Sequence, residues 1–559
     1  MMHRSGLVEG LVFVGVVTAA VGAMPRPARG GGQDEVRALY ANRFGFDRRG
    51  VPLVSVRIME GQTSVTVSSK GGVRLQPFGT TSTRLSGASS WTVTLRGGQA
   101  ARVRHWVVLE RLGGAASRLR RNRVTRRWRK RGVKVRALEV GALFAVGGRV
   151  VDNRSTLVVT RPDPNPSVAL VNGRNLARKL KVRTTIHREL LRRSRGTLVA
   201  RPRGSRLQLT NPGVVWFAPA KAAPITVRRV EYGRGYRWHG RKDRRYFGRI
   251  YVAVDRLGKL AVVNEVPADH LLCGLVPAEI FTSAPAEALK AQSVAARGQL
   301  LAKIGTRHTT DPYLICSAQH CQVYSGIGSE HPRTTRAVRA TRGQILVDAH
   351  GRLADTVYSA SCGGHGESNE HVWNTPVNPN LRGRLDVSAA TAKRLGRFAR
   401  GITDRNIGAW LRARPRCWCS RTAFGAKGKF RWRRRLAQSA LDRLVRKKYR
   451  VGRVRRIKVL ARGRSGRATR LRITGSRGKA VVHGELAIRR LLGNLKSSMF
   501  QVKRLRRADG RAEFLFVGGG WGHGVGMCQT GAIGMAQAKR NVKQILAHYY
   551  RKTKLLKLY

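Results

Sequence analysis

Between about Pro52 and Val230 apolar and polar residues alternate in short runs, LVSVRIM, SVTVSS, WTVTL, HWVVLE, TLVVT and GVVWFA, separated by Gly, Pro and Asn. A period of two puts successive side chains on opposite faces of a pleated backbone, so this region can bury its apolar face only as strands. Turn residues recur about every 8 to 15 positions, the spacing of a mostly β region. RLRRNRVTRRWRKR, Arg118 to Arg131, breaks the pattern with nine Arg and Lys and reads as a solvated basic loop or face. The alternation resumes in GRIYVAVDRLGKLAVVNEV (248–266), which predicts a hairpin turning at Leu257-Gly258.

The period then changes. From Ala286 to Lys303 nearly every residue is a strong helix former, with Pro285 suited to the first turn, Ser283 placed to cap it and Gly305 to stop it. Ala288, Ala291, Ala295 and Ala302 form one stripe of small groups that lets a neighbouring backbone approach closely. Glu279 precedes this helix in a loop bounded by Pro277 and Pro285, whereas Glu287, in the first turn, fits capping and compensation of the helix dipole. Residues 384–458 are basic and helix-leaning, with CWC at 417–419. Strands return in the last hundred residues, followed by GGGWGHGVGMCQTGAIGMAQ (518–537) and a final helix over 532–550. The expected class is α+β: a mostly β N-terminal region (50–230), then a mixed α/β domain. Its core (245–380) is completed by the C-terminal segment (501–559) and split by a basic insertion with helices and strands (381–500).

The 559 residues carry 110 Lys and Arg against 29 Asp and Glu, a net charge of +81. Such a surface attracts polyanions: anionic wall polymers, acidic lipid or nucleic acid. No zinc-finger, helix-turn-helix or RNA-recognition signature accompanies the charge, so no specific nucleic acid is expected as a partner. The start, MMHRSGLVEGLVFVGVVTAAVGAM, joins a basic end to an apolar run and small residues. That is the pattern of an export signal over 1–24, with an uncleaved N-terminal anchor as the alternative, and either places the protein in the cell envelope, periplasm or wall. Seven cysteines, Cys273, Cys316, Cys321, Cys362, Cys417, Cys419 and Cys528, are an odd number and form no dense disulfide framework.

His308, Cys316, His320 and Cys321 offer two imidazoles and two thiolates within 14 residues, the donor set that tetrahedral zinc prefers. Adjacent His320 and Cys321 can share an ion only from a loop. Four protein ligands leave no position for an activated water, so such a zinc would be structural; a Cys316–Cys321 disulfide is the alternative.

Four segments, VPAEIFTSAPAEALKAQSVAAR (276–297), HTTDPYLICSAQHCQVYSG (308–326), VYSASCGGHGESN (357–369) and GGGWGHGVGMCQTGA (518–532), occur in the order and spacing of a known family. Together they resemble the stage II sporulation protein D and LytB amidase enhancer family, over roughly 245–380 and 515–559. The resemblance implies a secreted or membrane-attached protein acting on peptidoglycan glycan strands, either as a lytic transglycosylase or as a stimulator of a wall amidase. It also implies a His/Cys zinc cluster of the kind some members carry at 308–321. The catalytic glutamate of the family maps onto Glu279. The motifs around Arg297, Ser359, Ser361, Gly363, Gly364, His365, Trp521, His523 and Gln529 would bind substrate, and Cys362 and Cys528 would lie close enough for a disulfide. Ile280, Gly298-Gln299, Cys528 and Thr530 depart from the residues the pattern favours and leave the carboxylate in place.

Chemistry supports a single carboxyl. Glycosidases commonly use two carboxylates. A lytic transglycosylase can use one, because the muramic acid 6-hydroxyl replaces water and the same Glu acts first as acid and then as base. That Glu must be protonated near neutrality, which needs an apolar setting; Val276, Pro277, Ile280 and Phe281 surround Glu279 in sequence. The alternative role for Glu279 is a helix cap. In the glycine-rich stretch a sugar could lie over main-chain N–H groups with Trp521 under its ring and His523 donating a hydrogen bond or orienting Glu279. The alternative is a tight turn whose glycines serve packing.

Overall fold

The computed structural model describes residues 32–76, 90–221, 223–233, 239–373, 375–426, 428–506 and 508–559. The segment 1–24, expected as an export signal or anchor, lies outside them. No described helix is long and apolar enough to cross a membrane.

The protein is α+β with a mostly β N-terminal region. One six-stranded sheet runs in the order Ile315–Cys316, Leu53–Gln62, Leu260–Pro267, Arg249–Val254, Val214–Pro219, Val73–Gln76. A second runs Leu209–Pro212, Arg195–Pro202, Ser90–Gln99, Ser64–Ser68, Ile225–Tyr232, Gly240–Tyr246. Their inner faces share one core: Val54, Val56, Phe217 and Val262 of the first sheet pack with Val67, Trp91, Val93 and Leu198 of the second. This is the face the alternation demands, and each fully buried apolar side chain of this size contributes about 1.5–3 kcal/mol. The expected hairpin forms. Arg249–Val254 pairs with Leu260–Pro267, and the Asp255 carboxylate accepts the N–H groups of Leu257 and Lys259 at 2.8 and 2.9 Å.

The basic stretch at 118–131 differs from the expected loop. Arg118–Arg129 is a helix capped by Ser117, and it packs Val124 and Trp128 onto a four-stranded sheet beside the helix Pro166–Leu180. Two apolar residues four apart suffice to seat a helix whose other faces carry arginine into solvent.

The second half is built around the Ala-rich helix Ala286–Lys303, with Ala288, Ala291 and Ala295 fully buried. Ser283 does not cap it. Residues 281–284 close a turn of their own, Ala284 N–H to Phe281 C=O at 3.0 Å, and Pro285 takes the N-cap position. Helices Ala268–Glu279, Pro332–Ala340, Gln529–Gln537 and Val542–Tyr549 pack around it. The last two replace the single helix expected over 532–550, because Asn541 caps a new helix through a capping box with Gln544. Residues 431–519 add two three-stranded sheets with their own core, including Trp432, Leu471, Phe500 and Phe516.

Candidate functional site

Glu279 is the last residue of Ala268–Glu279 and so belongs to a helix end, not to a free loop; Pro277 lies inside the final turn. Its carboxyl is partly buried, and Oε1 accepts the main-chain N–H of Val323 at 3.2 Å. Burial raises its pKa above the ordinary carboxylate value, against the Val323 bond and the nearby Lys303 charge, which lower it.

The Ala-rich helix supplies the wall behind this carboxyl. Gln292, Gln299 and Lys303 recur at i, i+7 and i+11, on one stripe of the helix. Gln292 Oε1 accepts from Gln529 Nε2 at 3.2 Å, Gln299 Oε1 accepts from Gln322 Nε2 at 3.0 Å, and Lys303 Nζ donates to the Cys321 carbonyl at 2.5 Å. Burial lowers the Lys303 pKa to about 8. Gln529 also donates to the Glu279 carbonyl at 2.8 Å, which ties the glycine-rich segment to the end of the Glu279 helix. Nothing in the four motifs marks Gln292, Gln299, Lys303 or Gln322; the polar stripe along the Ala-rich helix is the signal that could have found the first three.

The candidate substrate-binding residues divide into two groups. Arg297 is fully buried, with Nη2 on Asp269 Oδ1 at 2.9 Å and Nη1 on the Gln344 carbonyl at 3.1 Å, so its guanidinium serves the interior. Ser361 and His365 are fully buried as well, and burial lowers the His365 pKa to about 4. Ser359 is almost buried, its Oγ accepting the Gly524 N–H at 3.2 Å. Gly363 has φ +74°, and a Cβ there would meet Gly520 N at 2.7 Å; at Gly364 a Cβ would meet Cys417 Sγ at 2.6 Å. These two glycines serve close packing of one loop on the other. By contrast Trp521 is 41% exposed, with Lys496 Nζ 5.0 Å from its ring, and His523 is partly exposed against Trp373. His523 Nδ1 accepts the Val525 N–H at 3.0 Å; burial and the charges of Arg467 and Arg489 lower its pKa to about 3, so the ring is neutral.

The main-chain N–H groups of the glycine-rich stretch do not wait for a sugar. Those of Gly519, Gly520, Trp521 and Gly522 bond to the carbonyls of Met499, Phe430, Ser361 and Lys496 at 2.8–3.1 Å. A Cβ on Gly524 would lie 2.5 Å from the buried Arg467 guanidinium, which donates to the carbonyls of Gly522 and Cys362. The freedom of this backbone is therefore used to wrap Arg467, and what reaches the surface is the aromatic ring of Trp521. Phe281, two residues after Glu279, is also exposed, with Lys429 Nζ 3.9 Å from its ring.

His308, Cys316, His320 and Cys321 come together, their donor atoms all within 4.8 Å of one another, and could hold a metal ion. The strand Ile315–Cys316 ends in a turn over 317–321, which supplies the loop that adjacent His320 and Cys321 require. Cys321 Sγ lies 3.4 Å from His308 Nε2 and 3.7 Å from His320 Nδ1. His308 Nδ1 bonds to Asp311 Oδ2 at 3.0 Å, which leaves Nε2 facing the cluster, the orientation a ligating histidine needs. Two residues beyond Cys321, Val323 holds the Glu279 carboxyl.

A cavity of about 930 Å³ lies elsewhere. It is lined by Phe44, Phe46, Phe144, His187 and Glu189 among others, and it includes Thr309 of the second motif but none of the candidate site residues.

Residues 256–347 match the Stage II sporulation protein (SpoIID) family, and residues 367–526 match a domain of unknown function (DUF8618). The SpoIID match and the relatives below support a SpoIID/LytB-like protein over part of the chain. The chain is 29% identical over 292 residues to an uncharacterized protein of Brachyspira hyodysenteriae, covering 52% of this chain and 67% of that one. It is 26% identical over 311 residues to the Amidase enhancer of Bacillus subtilis, covering 51% of this chain and 40% of the relative.

Proposed function

We propose that this protein is exported to the cell envelope and cleaves peptidoglycan glycan strands as a lytic transglycosylase, with Glu279 as its acid and base. The observation that carries the proposal is the seating of Glu279: a carboxyl raised by burial, at a helix end joined through Gln529 to the segment that exposes Trp521. In the first step the Glu279 proton passes to the glycosidic oxygen between MurNAc and GlcNAc as the C1–O bond breaks. The muramic 6-hydroxyl then closes on C1, its proton returns to Glu279, and no water is consumed. Trp521 and Phe281 supply apolar faces for sugar rings, and Lys496 and Lys429 beside them suit the carboxylates of muramic acid and its peptides.

A second reading, a non-catalytic enhancer that binds glycan and activates a wall amidase, is favoured by the likeness to the Amidase enhancer of Bacillus subtilis. Full-length protein on intact and on amidase-treated sacculi separates the two. Anhydro-muropeptides are expected from the transglycosylase; their absence on denuded glycan, with stimulation of an added amidase, assigns the enhancer role.

The cluster at 308–321 is proposed to hold a structural zinc that fixes the loop bearing Val323. Cys321→Ser is expected to carry about one zinc fewer per chain than the parent and to melt at lower temperature. Metal analysis that finds no difference, together with a mapped Cys316–Cys321 bridge, overturns this assignment.

The net charge of +81 should hold the protein on anionic wall polymers. Retention on sacculi is expected to fall steeply by about 0.5 M salt, where the Debye length is roughly 4 Å. Retention indifferent to salt in a co-sedimentation assay would assign binding to the groove instead.

A further inference from the structure

A second group of metal-ligating side chains lies in the interior, apart from the cluster at 308–321. Cys362, Asp386, Cys419 and Cys528 are all buried, and one donor atom from each falls within 4.8 Å of all the others. They come from four separate segments: the loop after Tyr358–Ser359, the stretch preceding the helix Ala389–Arg394, the turn Trp418–Ser420, and the N-cap of the helix Gln529–Gln537.

The spacing of the donor atoms suits a four-ligand ion site. Cys362 Sγ and Cys419 Sγ are 3.7 Å apart. That is far beyond a disulfide bond of about 2.05 Å. It is close to the edge of about 3.8 Å that two Zn–S bonds of about 2.3 Å subtend at a tetrahedral centre. Cys362 Sγ lies 3.1 Å from Asp386 Oδ2.

The surroundings suit anionic ligands. Cys528 Sγ accepts two main-chain N–H groups, from Cys362 at 3.1 Å and from Gly531 at 3.3 Å. A neutral thiol is a weak acceptor, whereas a metal-bound thiolate is oriented by such bonds. The other oxygen of Asp386 accepts the Tyr549 hydroxyl at 2.9 Å and bonds to His548 Nε2 at 3.1 Å, which turns Oδ2 toward the sulfurs. The Arg431 guanidinium lies in the same interior, on the carbonyls of Gly363 and Trp410 at 3.0 and 2.9 Å, and offsets part of the negative charge. Three thiols and a carboxylate, fully buried, are otherwise an unfavourable grouping. Cys417, the other cysteine of CWC, sits instead under Gly364 and is not part of the group.

We propose that Cys362, Cys419, Cys528 and Asp386 form a second, structural zinc site that clamps the segment 386–419 to both glycine-rich loops. Thiolate ligands select zinc among the common divalent ions, and four protein ligands close the coordination shell. The site adjoins Gln529, the residue that holds the Glu279 carbonyl, so it braces the active-site end of the molecule. It stands independently of whether Glu279 is catalytic.

The test uses the full chain purified with thiols reduced. Zinc per chain is measured for the parent and for Cys419→Ser, with the folded fraction followed by circular dichroism. The variant is expected to carry about one zinc less, while retaining the zinc of the cluster at 308–321. Equal zinc in both proteins overturns the proposal. If Cys419→Ser does not fold, the parent alone decides: Cys362, Cys419 and Cys528 should resist alkylation until a chelator is added and then become labelled. Labelling unaffected by chelator, or a mapped disulfide between any two of the three, overturns it.

Discussion

Glu279→Gln is expected to lower anhydro-muropeptide release by about 10²- to 10⁴-fold, the usual loss when a general acid–base group is removed. The amide keeps the size of the side chain and an oxygen that can accept the Val323 N–H, so folding and glycan binding should be unchanged. Glu287→Gln is the control. Its carboxylate accepts the Val542 N–H at 2.7 Å and pairs with Lys290 at 2.7 Å, so neutralising it should cost about 1 kcal/mol or less and leave the chemistry alone. The pH profile supplies a further check. Burial raises the Glu279 pKa, and the acid form is the one that acts first, so kcat/KM should fall as pH rises through that raised value and persist below it. Release by Glu279→Gln at the parental rate would assign the chemistry to another group.

Glu367→Gln is expected to be among the most destabilising single changes in the chain, at about 3–5 kcal/mol, the usual cost of breaking a buried charged network by removing one member. The Glu367 carboxylate is fully buried and accepts the N–H groups of Ser368, Arg464 and Ser465 at 2.8–3.1 Å, the Ser465 hydroxyl at 2.6 Å and a bond from His371 Nδ1 at 2.8 Å. Ser465 in turn accepts from Arg467, around which the glycine-rich stretch is wrapped. An amide would turn its NH2 group toward donors and strand them. Hydrogen exchange should report the loss first at 463–467 and 520–526, and unchanged protection there would refute the assignment.

The pair also sets a pH window. Burial raises the Glu367 pKa, but bonds from His371 and Ser465 outweigh it, leaving the group below its ordinary 4.5. Its contribution is thus complete above 4.5 and lost as pH falls through the depressed value. The Glu367 bond raises the His371 pKa above 6.5, with Glu370 adding to the rise and Arg382 opposing it. That contribution is complete below 6.5 and lost as pH rises through the raised value. Thermal unfolding of the parent should therefore show this region most stable between about 4.5 and 6.5, a dependence Glu367→Gln should flatten.

What the sequence by itself determined is local. The two-residue alternation of LVSVRIM fixed which face of Leu53–Gln62 is buried, Asp255 and Gly258 fixed the hairpin, and the run of helix formers fixed Ala286–Lys303, because each depends on neighbours a few positions away. The same local rules missed the helix at Arg118–Arg129, where two buried side chains outweigh a charged majority, and the break that Asn541 introduces after Gln529–Gln537. Only the tertiary structure decided which polar residues face the site and which face the core. Arg297 and His365 stand in motifs as promising as those of Glu279 and Trp521, yet Asp269 draws one inward and close loop packing encloses the other. The grouping of Cys362 with Cys419 and Cys528 spans 57 and 166 residues of chain. No periodicity reaches so far, since such meetings are set by how the packed elements close on one another and not by the propensity of any one of them.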